Sequence, residues 1–146
     1  MGPLARRSRL VAEARLSQGL IDTSVVIDLD HVDADQLPIE LAISALTMAE
    51  LAAGPHATVD ADERGRRQDR LQRAEASFDP LPFDSASARA YGRIYAAIVA
   101  TGRKARGPRA VDLLIAATAL AADLPLYTRN IDDFRGLEQL LTIVSV

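Results

Sequence analysis

Four acidic side chains stand where a carboxylate can do chemistry: Asp22, Glu50, Asp112 and Asp133. Each has a structural reading beside the functional one. Asp22 closes the apolar run Gly19-Leu20-Ile21 and precedes the hydroxyls of Thr23 and Ser24. An acid or hydroxyl there caps the following helix, or the acid serves a site at the strand's end. Glu50 lies three residues after Thr47. Thr-x-x-Glu is a capping box in which the carboxylate bonds back to the Thr47 amide; the alternative is that Glu50 faces the first-strand acid as a metal ligand. Asp112 opens the run Val111-Asp112-Leu113-Leu114-Ile115-Ala116-Ala117. The helix dipole favours an acid at that end. The rest of this helix is apolar and must be buried, where a carboxylate is costly unless paired or bound to a cation. Asp133 sits in Thr128-Arg129-Asn130-Ile131-Asp132-Asp133-Phe134, a segment of turn-forming residues.

Other chemistries have little to work with. Without cysteine there is no disulfide, thiolate metal site or thiol nucleophile. The two histidines, His31 and His56, fall at helix-end or loop positions and read as surface residues. There is no Gly-x-x-x-x-Gly-Lys phosphate loop and no Gly-x-Ser-x-Gly elbow.

The elements that must position the acids follow from the apolar pattern. Short strands are expected at 19–22, 41–45, 80–83, 124–128 and 141–146. Helices are expected from Thr23-Ser24 through Leu29, from Thr47 to about Ala53, over 59–78, over 85–101 and over 110–122. The stripe Ala88, Tyr91, Ile94, Tyr95 and Ile98 has helical spacing. Gly54-Pro55 stops the second helix. Strands alternating with helices, without period-two polarity, predict an α/β fold, a sandwich of helices on a mostly parallel sheet. In such sheets ligands bind beyond the carboxyl ends of the strands, where Asp22 and the 128–133 segment lie.

A chain of 146 residues that is 49% apolar suits one domain with one core. Residues 1–18 read as a leader, flexible or forming a short helix through Leu4, Leu10, Val11, Ala14 and Leu16; residues 19–146 form the domain. The longest apolar run, 113–122, is too short to span a bilayer, and no signal peptide follows Arg6, Arg7 and Arg9. A soluble, cytoplasmic protein with no membrane association is expected.

Four motifs then appear in order: Leu20-Ile21-Asp22-Thr23-Ser24, Met48-Ala49-Glu50-Leu51, Asp112-Leu113-Leu114-Ile115-Ala116-Ala117, and Thr128-Arg129-Asn130-x-x-Asp133-Phe134. Together they resemble the PIN domain, and more narrowly the VapC-type toxins of toxin–antitoxin pairs. The resemblance runs over 19–146; the leader before Gly19 departs from it. It implies a parallel α/β/α sandwich with the acids clustered at one edge. Asp22, Glu50 and Asp112 match the first three acids of the family and Asp133 the fourth, with Asn130 and Asp132 as neighbours able to share that place.

Two like charges about 4 Å apart repel by roughly 4 kcal/mol at an effective dielectric of about 20. Clustered carboxylates therefore take up protons or capture cations. Oxygen donors without His or Cys suit Mg²⁺ or Mn²⁺ better than Zn²⁺. The expected activity is metal-dependent RNA hydrolysis, with Asp22 and Asp112 as principal ligands and Glu50 and Asp133 holding a second ion or orienting water. Thr23, Ser24 and Thr128 position water or phosphate. A DNA nuclease or phosphatase using the same acids, and a non-catalytic RNA- or protein-binding module, are the competing readings. The resemblance also implies a homodimer and a VapB-type antitoxin partner.

The net charge is −3, so phosphate contact must be local. Arg64, Arg66, Arg67, Arg70 and Arg73 are interleaved with acids and read as an ion-paired face. Arg103, Lys104, Arg106 and Arg109 carry no acid among them and lead directly to Asp112, so they are the expected RNA contacts.

Overall fold

The computed structural model describes residues 15–107 and 109–146. The expected leader lies, through residue 14, outside the described residues. Four strands, β1 (Gln18–Ile21), β2 (Glu40–Ala42), β3 (Leu126–Thr128) and β4 (Ile143–Ser145), form an all-parallel sheet in the order β2-β1-β3-β4. The helices are α1 (Thr23–Ile27), α2 (Ala45–Ala53), α3 (Ala61–Ser77), α4 (Ser85–Ala100) and α5 (Arg109–Ala121).

Side-chain alternation along the two central strands explains the layers. Leu20 and Leu126 pack into one apolar cluster with Ile94, Ile98, Leu113 and Ile115, from α4 and α5. Their successors Ile21 and Tyr127 pack into a second cluster with Val25, Val26, Leu51 and Ala74, from α1, α2 and α3. Both faces of the sheet are thus covered, which gives the expected α/β/α sandwich. Tyr127 lies so close over β1 that a Cβ on Gly19 would meet its Cε1 at 2.5 Å, so only glycine fits there.

Polar caps set the helix starts. Asp22, Ser44, Asp60 and Asp84 each accept a backbone N–H at the first turn of α1, α2, α3 and α4. Burial sets the position of α5: Leu113, Ile115, Ala116, Ala117 and Ala119 are fully inaccessible. Burying Leu113 and Ile115 contributes roughly 1.5–3 kcal/mol each, and this packing fixes where the first turn, with Asp112, meets the sheet.

Two expectations change. The strand expected at 80–83 is a single parallel bridge between Leu81 and Ser44. Pro80 and Pro82 flank Leu81 and have no N–H to extend a ladder. The second helix begins at Ala45, capped by Ser44, rather than at Thr47. Among the described residues no helix is long and apolar enough to cross a membrane.

Candidate active site

The strand order reverses between β1 and β3: the chain leaves β1 toward β2 on one side and leaves β3 toward β4 on the other. This is the switch point at which open parallel sheets leave a crevice for ligands. Asp22 stands at the carboxyl end of β1, and its N–H donates to Tyr127 O across to β3 (3.0 Å). The side chain is 3% exposed. Its Oδ1 accepts from the Val25 N–H (3.1 Å) and the Ser24 hydroxyl (2.5 Å). Asp22 is therefore a helix cap, as one reading held, but one oxygen suffices for that; Oδ2 has no partner among the described residues. Ser24 Oγ in turn accepts from the Arg129 N–H (3.0 Å), tying α1 to the segment after β3.

Glu50 makes no capping box. With Ser44 as the cap, Thr47 lies inside α2 and its side chain is buried. The Glu50 carboxylate instead accepts from the Thr23 hydroxyl (2.6 Å), and Thr23 Oγ1 lies 3.0 Å from Thr47 Oγ1. Glu50 and Thr47 share a face of α2 at i, i+3 spacing, which turns both toward α1. Thr47 was not foreseen as a site residue: its place in a capping-box pattern concealed a buried hydroxyl 24 positions from its partner.

Asp112, half-buried in the first turn of α5, has its pKa raised to about 6. Burial is the largest cause, followed by the negative charges of Asp133, Asp22 and Glu50; Arg109 acts in the opposite direction. Asp112 is therefore close enough to the other three acids predicted from separate motifs to be affected by their charges. Of the three candidates for the fourth place, only Asp133 is among the charges acting on Asp112. The Asp132 side chain is 81% exposed and paired with Arg135 at 2.8 Å. Asn130 is exposed, and its N–H donates to Thr128 Oγ1 (3.0 Å), which secures the turn after β3.

Comparison with known proteins gives the family. The family model described as PIN domain matches residues 19–139. The chain belongs to the PIN-domain family. It is 34% identical over 123 residues to Ribonuclease VapC5 of Mycobacterium tuberculosis, covering 82% of this chain and 87% of the relative. Ribonuclease VapC8 of the same species is 36% identical over 110 residues, covering 75% and 96%. The structure superimposes with a TM-score of 0.79 on a chain of VapBC-5 from Mycobacterium tuberculosis, a member of the VapBC family of toxin–antitoxin systems. The identity is 33%, covering 89% of this chain and 99% of that one.

The four basic residues expected to contact RNA fall into three kinds. Lys104 and Arg106 are exposed on the loop before α5. Arg109 is partly buried beside Asp112, and its Nε is inaccessible and has no hydrogen-bond partner among the described residues. Arg103 bonds to backbone: its Nη1 donates to the carbonyls of Asp132 (3.0 Å) and Arg135 (3.3 Å). On α3 the ion-paired reading holds for Arg66 and Arg67, at 2.8 and 2.9 Å from Glu63; these two hold the Glu63 carboxyl below its usual range, Arg67 most. A cavity of about 310 Å³ opens beside Thr23 and Glu50, bounded by Leu51, Arg67 and Arg70. Through Arg70 and Ile27 it adjoins a larger one, about 530 Å³, that runs along α3 away from the acids.

Proposed function

We propose that this chain is a metal-dependent endoribonuclease, the toxin member of a toxin–antitoxin pair, with residues 19–146 as its nuclease domain. The observation that carries the reading is the convergence of Asp22, Glu50 and Asp133 on Asp112 at the sheet's switch point, where Asp112 is driven toward protonation unless a cation is bound. The VapC ribonucleases and the VapBC structure that it resembles support the same reading.

The donors fit a hard divalent cation: they are all carboxylate or hydroxyl oxygens, with both histidines exposed on the surface. Among the described residues no three carboxylates, as placed, are close enough to enclose one ion. The Asp22 and Glu50 carboxylates accept hydrogen bonds from the Ser24 and Thr23 hydroxyls. When bound, Mg²⁺ or Mn²⁺ supplies a polarised phosphodiester and a water acidic enough to attack it. Asp22 and Asp112 are the principal ligands. Glu50 and Asp133 hold a second ion or orient the water. Thr23 aims Glu50, Ser24 aims Asp22, and Thr128 fixes the turn that delivers Asp133. Lys104, Arg106 and Arg109 neutralise the phosphates on either side of the scissile bond. The protein acts in the cytoplasm as a homodimer, held inactive by a VapB-type antitoxin.

The test is to sequence RNA ends after expression of the wild type and of Asp22→Asn, and to incubate both purified proteins with RNA and DNA. New RNA ends with the wild type alone, abolished by EDTA, support the reading. Equal cleavage by both proteins, or cleavage of DNA in place of RNA, overturns it.

A further inference from the structure

The segment bearing Asp133 is short, and its internal ties include the exposed Arg135–Asp132 pair (2.8 Å) and the Leu137 N–H to Phe134 O bond (3.1 Å). It is a 3-10 turn (Ile131–Phe134) whose N-cap residue, Asn130, makes no side-chain cap, and its own hydrogen bonds run from Asp133 N to Asn130 O (3.0 Å) and from Arg135 N to Asp132 O (3.3 Å). On its N-terminal side it is held by Ser24, Thr128 and the Arg129–Asp28 ion pair. In its middle, Phe134 is buried in the core. On its C-terminal side the hold comes from the loop after α4. The Arg103 guanidinium straddles Asp133, bonding the carbonyls of Asp132 before it and Arg135 after it.

A second contact joins the same two loops. Gly136 has φ of +104°, and a Cβ there would meet Thr101 Cγ2 at 2.8 Å. That methyl has little freedom to withdraw, because the Thr101 hydroxyl is bonded to Ile98 O at 2.6 Å. The two loops therefore abut at a point where no side chain larger than hydrogen fits.

We propose that Arg103 is a positioning residue for Asp133, not a phosphate contact: it clamps the turn so that the carboxylate is presented to Asp112. This rests on the reading that Asp133 belongs to the metal site. Both bonds come from one nitrogen, Nη1, which offers an N–H to each carbonyl and so ties the two ends of the turn together. Partners that orient a metal's ligands typically change affinity by about tenfold or more when removed.

The test is Mn²⁺ titration of the full chain by calorimetry, without RNA, for the wild type, Asp133→Asn, Arg103→Ala, Arg103→Lys and Gly136→Ala. RNA affinity against salt is measured in EDTA on the same proteins. Arg103→Ala is expected to weaken Mn²⁺ binding about tenfold, Arg103→Lys by less, and Gly136→Ala to mimic Arg103→Ala with every arginine retained. In the Asp133→Asn background Arg103→Ala should add nothing further, which a general loss of stability would not produce. The salt slope of RNA binding should be unchanged by Arg103→Ala. A slope shallower by about 0.7, one single-strand phosphate contact, with Mn²⁺ affinity intact, overturns the proposal. So does Mn²⁺ affinity unchanged in Arg103→Ala and Gly136→Ala while Asp133→Asn weakens it. Unchanged affinity in Asp133→Asn removes Asp133 from the metal site, and the inference falls with it. If Arg103→Ala does not fold, Gly136→Ala decides alone by the same criterion.

Discussion

Asp22 and Glu50 accept hydrogen bonds from Ser24 and Thr23, whereas Asp112 and Asp133 accept none from side chains among the described residues. The first pair lies on β1–α1 and α2, where neighbouring hydroxyls fix the oxygens. The second pair lies at the start of α5 and after β3. There Asp112 is partly desolvated and repelled by the other three acids. One half of the site is pre-aimed, and in the other Asp112 is held charged only against resistance. A cation relieves the second half more than the first, so the half that is poorest in hydrogen bonds should depend most on metal.

The sharpest way to break this contrast is Asp112→Asn. RNA cleavage should fall by at least about 100-fold, the scale of losing one preorganised electrostatic group, with the fold intact by circular dichroism. Retained cleavage would move the centre of the site elsewhere. On the hydroxyl side the effect is smaller. Thr23→Val removes the donor that aims Glu50, and the rate should drop about tenfold with RNA affinity unchanged.

Titration separates the halves without substrate. The folded pKa of Asp112, about 6, lies above its ordinary 3.8, so the folded chain holds this proton more tightly than the unfolded chain. The stabilisation from that proton is complete below about 4 and is lost as the pH rises through about 6. The metal-free wild type should therefore lose melting temperature across that window relative to Asp112→Asn. Parallel curves would contradict the repulsion. Ser24→Ala cuts the link between Asp22 and the Arg129 N–H; chemical denaturation should report a loss of about 1–2 kcal/mol. The smallest effect belongs to Asp132→Asn, whose exposed pair with Arg135 should leave stability within about 0.5 kcal/mol and cleavage unchanged.

Much of this arrangement was legible in the residue order. Apolar runs of a few residues between longer helical stripes gave the sandwich, because a parallel strand covered on both faces has no polar alternation to show. Asp112 stood out because burial makes an unpaired charge conspicuous in an apolar helix. Glu50 was ambiguous: Thr47 offered a local partner at capping-box spacing, and only the Ser44 cap, set by the end of β2, released Glu50 toward Thr23. At 80–83 the apolar residues suggest a strand, but Pro80 and Pro82 lack the N–H groups a ladder needs. Arg103 was the least legible. A basic loop beside an acidic site reads as a phosphate contact, and nothing in the sequence shows that its partners are backbone carbonyls 29 and 32 positions away.

On the proposed reading, Asp22, Glu50, Asp112 and Asp133, from separate segments, make one divalent-cation site. Melting temperature against Mn²⁺ concentration, at a pH above the Asp112 pKa, tests it most directly. The wild type should rise with the logarithm of added Mn²⁺, while Asp112→Asn starts higher and stays nearly flat. Equal rises in the two proteins, or a flat response in both, would contradict it.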